Sequence, residues 1–183
     1  MVRYKAGDIL HAFLYDTPFD RGLDLAKTAR QVPGNTALVF LRYYGCRLCQ
    51  YDMRQFAENY PLIAETGGQL LVVLQSDPVA LRQQTDPGEL PYELVCDPEQ
   101  RLYRGLGIAP APSKEALGDE RTDKKLRIIE QSGLQHGLYE GNELQLPAVF
   151  VMTPHLSLTH VHYGVSAGDV PTPEELAALL RQR

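Results

Sequence analysis

The chain is short of cysteine, of basic runs and of long apolar stretches, and each shortage removes a class of protein. There are 3 cysteines in 183 residues, too few for a disulfide framework. No segment approaches the ~20 consecutive apolar residues of a membrane span. The opening residues, Met1-Val2-Arg3-Tyr4-Lys5-Ala6-Gly7-Asp8, lack the apolar stretch of a secretory signal. A soluble, cytoplasmic protein is the expectation. No Lys/Arg run stands out, and 18 basic against 23 acidic side chains leave a formal charge of -5. Nothing therefore marks a nucleic-acid groove. Repeats and low-complexity tracts are missing as well. What remains is an ordinary globular composition, 44% hydrophobic and 22% charged, with length enough for one domain over residues 1–183 and a sizeable core.

Two of the cysteines lie in the most informative stretch, Ala37 to Met53. It begins with an apolar run, Ala37 to Leu41, after the turn-forming Pro33-Gly34-Asn35, which reads as a buried strand. Cys46-Arg47-Leu48-Cys49 follows, and then Met53, Phe56, Tyr60 and Ile63 recur at helical spacing. The pair thus sits where a strand turns into a helix. A helix N-terminus carries roughly half a positive charge and unpaired N–H groups. A thiol there falls from about 8.5 to somewhere between roughly 3.5 and 7.5. Arg47 adds a nearby cation that pushes the same way. Two intervening residues leave both sulfurs on one face, able to bridge. In a reducing compartment such a pair is catalytic or metal-binding.

Taken in order, Ile9 to Tyr15 reads as a strand, Leu23 to Arg30 as a short helix, and Ala37 to Leu41 as the strand before a long helix from about Cys46 to Glu65. Gly67-Gly68 would close that helix. Gln69 to Gln75 is the clearest buried strand; Ser76-Asp77-Pro78 starts a helix to about Gln84. Tyr92 to Cys96 is a further strand, and Asp97-Pro98 opens a helix containing Leu102, Tyr103 and Leu106. This alternation predicts a parallel sheet with right-handed crossovers. From about 109 to 145 the pattern breaks into an exposed insertion with a helix near Thr122 to Gln131, punctuated by Gly133, Gly137 and Gly141. Ala148 to Met152 and Leu158 to Tyr163 predict an antiparallel hairpin, and Thr172 to Gln182 a closing helix.

Redox catalysis by Cys46 and Cys49 competes with two plainer readings, an inactive pair and a zinc half-site. Zinc needs two more ligands, and His160-x-His162, alternating along a strand, is the tempting pair. Cys96 ends a strand on the same sheet edge, either as an auxiliary thiol or as a small buried hydrophobe. Arg42, on the strand leading to the cysteines, is set to hold a thiolate or peroxide, or else faces solvent. Tyr43, Tyr44 and Gln145 either line the site or pack. Pro147 stands at the first position of a strand, an ordinary place for proline.

The stretch Phe40-Leu41-Arg42-Tyr43-Tyr44-Gly45-Cys46-Arg47-Leu48-Cys49 resembles the active-site segment of the peroxiredoxin-like branch of the alkyl hydroperoxide reductase/thiol-specific antioxidant family. Glu93-Leu94-Val95-Cys96-Asp97-Pro98 with Leu102-Tyr103-Arg104 is similar to that family's strand, Asp-Pro turn and helix. Leu146-Pro147-Ala148-Val149-Phe150 resembles its cis-proline segment. The resemblance implies a thioredoxin-like α/β fold, a central mixed sheet with flanking helices and a helical insertion before the cis-proline strand. It also implies that Pro147 faces the cysteines through a cis bond, freeing neighbouring backbone for an extended substrate. Where typical members carry Pro-x-x-x-Thr-x-x-Cys, this chain has Arg42 for the proline, Cys46 for the threonine and Cys49 for the peroxidatic cysteine. The expected function is a thiol oxidoreductase that reduces peroxides through a Cys46/Cys49 dithiol cycle. A thioredoxin-like disulfide reductase is the alternative, and a zinc-binding or docking module the second. In the peroxiredoxin-like order Cys49 becomes the sulfenic acid and Cys46 resolves it; in the thioredoxin-like order Cys46 attacks first. Cys46 is favoured, because the leading cysteine of such a pair is usually the more accessible. Expected partners are a peroxide or disulfide substrate, an external dithiol such as a thioredoxin, and a second copy in a homodimer. No cofactor or metal is implied, since the chemistry needs only the sulfurs.

Overall fold

The computed structural model describes residues 3–182. In chain order the elements are β1 (Leu14–Tyr15), β2 (Leu23–Asp24), α1 (Leu25–Ala29), β3 (Thr36–Phe40), α2 (Arg47–Glu58), α3 (Tyr60–Ala64), β4 (Gln69–Leu74), α4 (Pro78–Arg82), β5 (Glu93–Cys96), α5 (Arg101–Gly105), a 3-10 turn (Glu115–Leu117), α6 (Glu120–Ser132), β6 (Ala148–Met152), β7 (Leu158–Tyr163) and α7 (Pro173–Leu180). The main sheet runs β5-β4-β3-β6-β7. β3, β4 and β5 are parallel, β6 runs antiparallel to β3, and β7 antiparallel to β6. The β6–β7 pair is antiparallel because a short hairpin loop, unlike a helical crossover, can only reverse the chain. This is the thioredoxin-like α/β architecture.

Both faces of the sheet are covered, which explains the unbroken apolar runs of β3 and β6. Ala37, Val39, Leu70, Val72 and Val149 pack with Met53, Phe56, Ile63, Ile129, Leu176 and Leu180 on one face. Leu38, Phe40, Leu71, Val73 and Phe150 pack with Leu25, Ala29, Tyr103 and Leu106 on the other. Among the described residues no helix is long and apolar enough to cross a membrane.

Several boundaries differ from the sequence reading. The strand expected over Ile9 to Tyr15 shrinks to Leu14–Tyr15. Leu10 is buried while Leu14 is 69% exposed, and the segment before β1 meets Leu156 and Leu158 through backbone bonds around one isolated bridge, Ile9 to Ser157, rather than through a continuous ladder. The long helix breaks at Asn59 (φ -111, ψ 18), because Pro61 brings no N–H with which to continue it. Gly67 (φ 71) closes α3 as expected. The helix after Asp97-Pro98 begins only at Arg101, its first amides tied to the Asp97 carboxylate.

The insertion is not a solvated appendage. Asp119 caps α6 by accepting from the Thr122 N–H, and Gly133 (φ 70) ends it. Lys125 and Ile129 of this helix are buried, and the Lys125 ammonium lies 2.7 Å from the Asp52 carboxylate of α2. Breaking one side of a buried pair costs about 3–5 kcal/mol. Protonation recovers part of that here, since burial, against the pull of Lys125, holds Asp52 up at about 6. A carboxyl raised above its unfolded value binds its proton more tightly in the folded state, so it withdraws stability as pH rises from 3.8 through about 6. Lys125→Met is therefore expected to lose about 3 kcal/mol in urea titrations near about pH 8, and clearly less near about pH 5. Equal losses at both pH values would exclude Asp52 as the source.

Candidate active site

The site forms where β3 runs out. Past Phe40 the chain stays in register with β4: Leu41 N–H donates to Val73 O at 3.0 Å and Gln75 N–H to Arg42 O at 2.8 Å. Tyr103, fully buried beneath, brings its hydroxyl to the Leu41 and Val73 carbonyls. Arg42 is thereby fixed at the C-terminal sheet edge. The chain then turns over Tyr43-Tyr44-Gly45, and Cys46 becomes the N-cap of α2 with extended backbone (φ -69, ψ 125). Its amide donates to Tyr43 O at 3.2 Å, and its side chain stands at the head of the helix without a capping hydrogen bond.

Arg42 serves both sulfurs. Its guanidinium Nη2 donates to Cys46 Sγ at 3.0 Å, and its backbone N–H donates to Cys49 Sγ at 3.3 Å. The Cys49 thiol, the Arg42 charge and the N–H groups of Cys49 and Leu48 together hold Cys46 down at about 6, against the opposing effect of burial. Cys49 goes the other way: burial and the neighbouring Cys46 sulfur push its thiol well above the usual range. The cation at the pair is Arg42. Arg47, which the sequence offered for that purpose, is not among the main groups acting on Cys46.

The other wall comes from the insertion. After α6, residues 133–145 fold across the start of α2 as a strap. Gly137 N–H donates to Gly45 O at 2.8 Å, and the Gln50 side-chain amide bridges Gly45 O and Gln135 O. Tyr43 and His136 share a hydrogen bond of 3.1 Å, with Tyr139 stacked on the imidazole. Arg42 Nη1 donates to Glu143 O at 2.9 Å. Further along, the Glu140 carboxylate accepts from Ser76 Oγ and the Asp77 N–H, and Asn142 N–H donates to Gln75 Oε1. Cys46 and Cys49 are left only 2% and 3% exposed. The leading cysteine is thus not the accessible one expected; what distinguishes it is charge.

The AhpC/TSA family model matches residues 24–161, from the start of α1 through most of β7. The chain belongs to the AhpC/TSA family. No curated protein sequence matches it significantly, but solved peroxiredoxin structures share the fold. Peroxidoxin BcpB from Mycobacterium tuberculosis superposes with a TM-score of 0.66 at 13% identity, over 97% of this chain and 96% of that one. The reduced 2-Cys peroxiredoxin of Plasmodium vivax gives 0.67 at 10% identity, over 97% and 80%. A yeast mitochondrial 1-Cys peroxiredoxin, whose thiol is resolved through glutathione and thioredoxin systems, gives 0.58 at 12%, over 89% and 68%. As an AhpC/TSA protein, the chain is a thiol oxidoreductase with a peroxiredoxin-like redox function.

Within this AhpC/TSA domain the remaining candidates fall into place. Pro147 lies at the same sheet end as Arg42, since Ala148 pairs with Phe40. The cis bond expected before it is not found: the peptide is trans. Pro147 simply extends β6, its carbonyl accepting from Gly164 N–H at 2.9 Å. The trans form is favoured intrinsically, and the ladder to β7 continues through it. That carbonyl is therefore not free for a substrate strand. Gln145 is buried and bonds the 108–109 carbonyls, Tyr43 is a strap contact, and the Tyr44 N–H donates to Ser76. Cys96 belongs to a different environment, among Arg21, Asp16, Asp77 and Glu140, and burial pushes its thiol up to about 12. His160 and His162 line a cavity with Arg121, Asp169 and Glu175, and His162 bonds Asp169 at 2.8 Å. Among the described residues no group of three His, Cys, Asp or Glu side chains is placed to hold a metal ion. Sequence reasoning missed the strap and the Asp52–Lys125 pair.

The thiolate's ultraviolet absorbance, followed against pH in Cys96→Ser protein, is expected to titrate with a midpoint of about 6 and to vanish from that range in Cys46→Ser. Arg42→Met removes the cation and should raise the midpoint by about one pH unit. An unmoved midpoint would leave the helix start and Cys49 as the whole cause.

Proposed function

We propose that this protein reduces hydroperoxides through a Cys46/Cys49 dithiol–disulfide cycle in which Cys46 attacks first. The observation that carries the order is the Arg42 guanidinium, 3.0 Å from the Cys46 sulfur at the head of α2. Cys46 is held at about 6 as the sulfur at the head of α2, facing Arg42, whereas Cys49 keeps its proton. The thiolate is the nucleophile. In the first step the Cys46 thiolate attacks the terminal oxygen of the hydroperoxide and the O–O bond breaks. An alkoxide leaves and takes a proton, giving an alcohol and a Cys46 sulfenic acid. In the second step Cys49 sulfur attacks Cys46 sulfur; the Cys49 proton and the sulfenic hydroxyl depart as water, and the disulfide forms. An external dithiol then reduces that disulfide by exchange. A thioredoxin is the natural class of donor, in line with the thioredoxin and glutathione systems that serve the yeast 1-Cys relative. A chain with three cysteines and no disulfide framework suits a reducing, cytoplasmic setting.

A second reading has one observation in its favour. The threonine position of the family pattern holds Cys46, and a Cys-x-x-Cys with an acidic leading thiol is the arrangement of a disulfide reductase. The test is peroxide challenge of wild type, Cys46→Ser and Cys49→Ser, with sulfenic-acid trapping and intact mass. Cys49→Ser is expected to accumulate sulfenic acid on Cys46 at micromolar peroxide, while Cys46→Ser reacts no faster than a free thiol. Rapid oxidation confined to Cys46→Ser would reverse the assignment to Cys49. If neither variant reacts faster than a free thiol, the peroxidase reading falls and the disulfide reductase takes its place.

A further inference from the structure

We propose that the strap of residues 133–145 is a size filter at Cys46, admitting compact hydroperoxides and shutting out bulky disulfides. The inference rests on the reading of Cys46 as the attacking sulfur, and it assigns a substrate-selecting role to the insertion.

The contact that seals the site is made by main chain. Gly45, next to Cys46, and Gly137 of the strap lie so close that a Cβ on Gly45 would overlap the Leu138 backbone. One on Gly137 would come within 2.9 Å of the Gly45 Cα. Leu138 and Tyr139 are 58% and 72% exposed, so what lies against Gly45, the residue before Cys46, is the backbone of the strap. Both ends of this roof are tied down. Near Cys46 the bonds come from Gly45, Gln50, Tyr43 and Arg42; at the far end Glu140 is held by Ser76 and Asp77. Beside this contact Cys46 is a residue 2% exposed that nonetheless carries the more acidic thiol of the pair.

Size then separates the two substrate classes. A hydroperoxide presents to the thiolate a terminal oxygen bearing only hydrogen. A disulfide must bring a sulfur, its substituent and a leaving sulfur into line over the helix start. A reagent too large to pass the closed strap reacts only in proportion to the fraction of molecules with the strap open.

The test uses the full chain in a Cys49→Ser, Cys96→Ser background, leaving Cys46 as the single thiol. Three reagents are compared: hydrogen peroxide, the small methyl methanethiosulfonate and the bulky 5,5'-dithiobis(2-nitrobenzoate). In the last two the thiolate forms a new S–S bond as the reagent's S–S bond breaks, the electron pair leaving on methanesulfinate or thionitrobenzoate. Both report the same thiolate, so their rate ratio isolates size. Gly137→Ala pushes the strap off Gly45, and Glu140→Ala releases its far anchor; neither residue touches the reacting sulfur. In each, the bulky-to-small ratio is expected to rise by about tenfold, towards that of the denaturant-unfolded chain, with the peroxide rate changing less than about threefold. The unfolded chain keeps the test decisive should Gly137→Ala fold poorly. A folded background protein whose ratio already equals that of Glu140→Ala and of the unfolded chain would overturn the filter. A ratio that rises as expected while peroxide oxidises Cys46 no faster than a free thiol would uphold the filter and sink the peroxidase reading instead.

Discussion

A single guanidinium organises the reactive end of the molecule. Arg42 leaves the last hydrogen-bonded position of β3 with one arm on Cys46 Sγ, the other on the Glu143 carbonyl, and its own amide on Cys49 Sγ. A half-buried cation next to a buried sulfur has little water to solvate it, and a thiolate is the partner that offsets this. The helix start adds N–H groups from the same side. Charge, helix and strap therefore meet at one atom. Each depends on β3 ending where it does, which Tyr103 enforces from beneath by holding the Leu41 and Val73 carbonyls.

The two thiols differ because one environment is divided unequally between them. Cys46 occupies the cap position and collects donors; Cys49, one turn in, is enclosed by apolar neighbours and keeps its proton. The bond between them reinforces the split, since a protonated Cys49 donates to a charged Cys46 and is made less acidic in doing so. An attacking thiolate beside a protonated partner is the state a dithiol cycle must start from.

The insertion supplies what the bare fold would lack. Its helix α6 is anchored to α2 through the Lys125–Asp52 pair and to α7 through Arg121, whose guanidinium meets Glu175. This fixes the point from which the strap departs, at Gly133. From there the chain crosses Gly45 and reaches β6 already bonded to Arg42. The same segment thus lies over the start of α2 and, at Glu143, gives the Arg42 guanidinium a second partner.

Much of this was legible in the sequence. The apolar runs Ala37–Leu41 and Gln69–Gln75 need no partner to be recognised as buried strands, and Cys46-Arg47-Leu48-Cys49 placed after the first of them announces thiol chemistry at a helix start. These are local signals, set by side-chain periodicity and by chain distances of two to four residues. Asp97 as a remote helix cap and the break at Asn59 shifted boundaries without altering the order of elements. The state of Pro147 was misjudged, because a resemblance carries the position of a proline but not the ladder that its carbonyl joins. The role of 109–145 was opaque for a stronger reason. Gly137 meets Gly45 across 92 residues, and Lys125 meets Asp52 across 73. No local pattern encodes such contacts, which exist only once the sheet has brought α2 and α6 together. The sequence alone determined the fold class and the chemistry of the sulfurs; the tertiary structure decided which sulfur is charged, which arginine holds it and what covers it, since charge and access depend on neighbours distant in the chain.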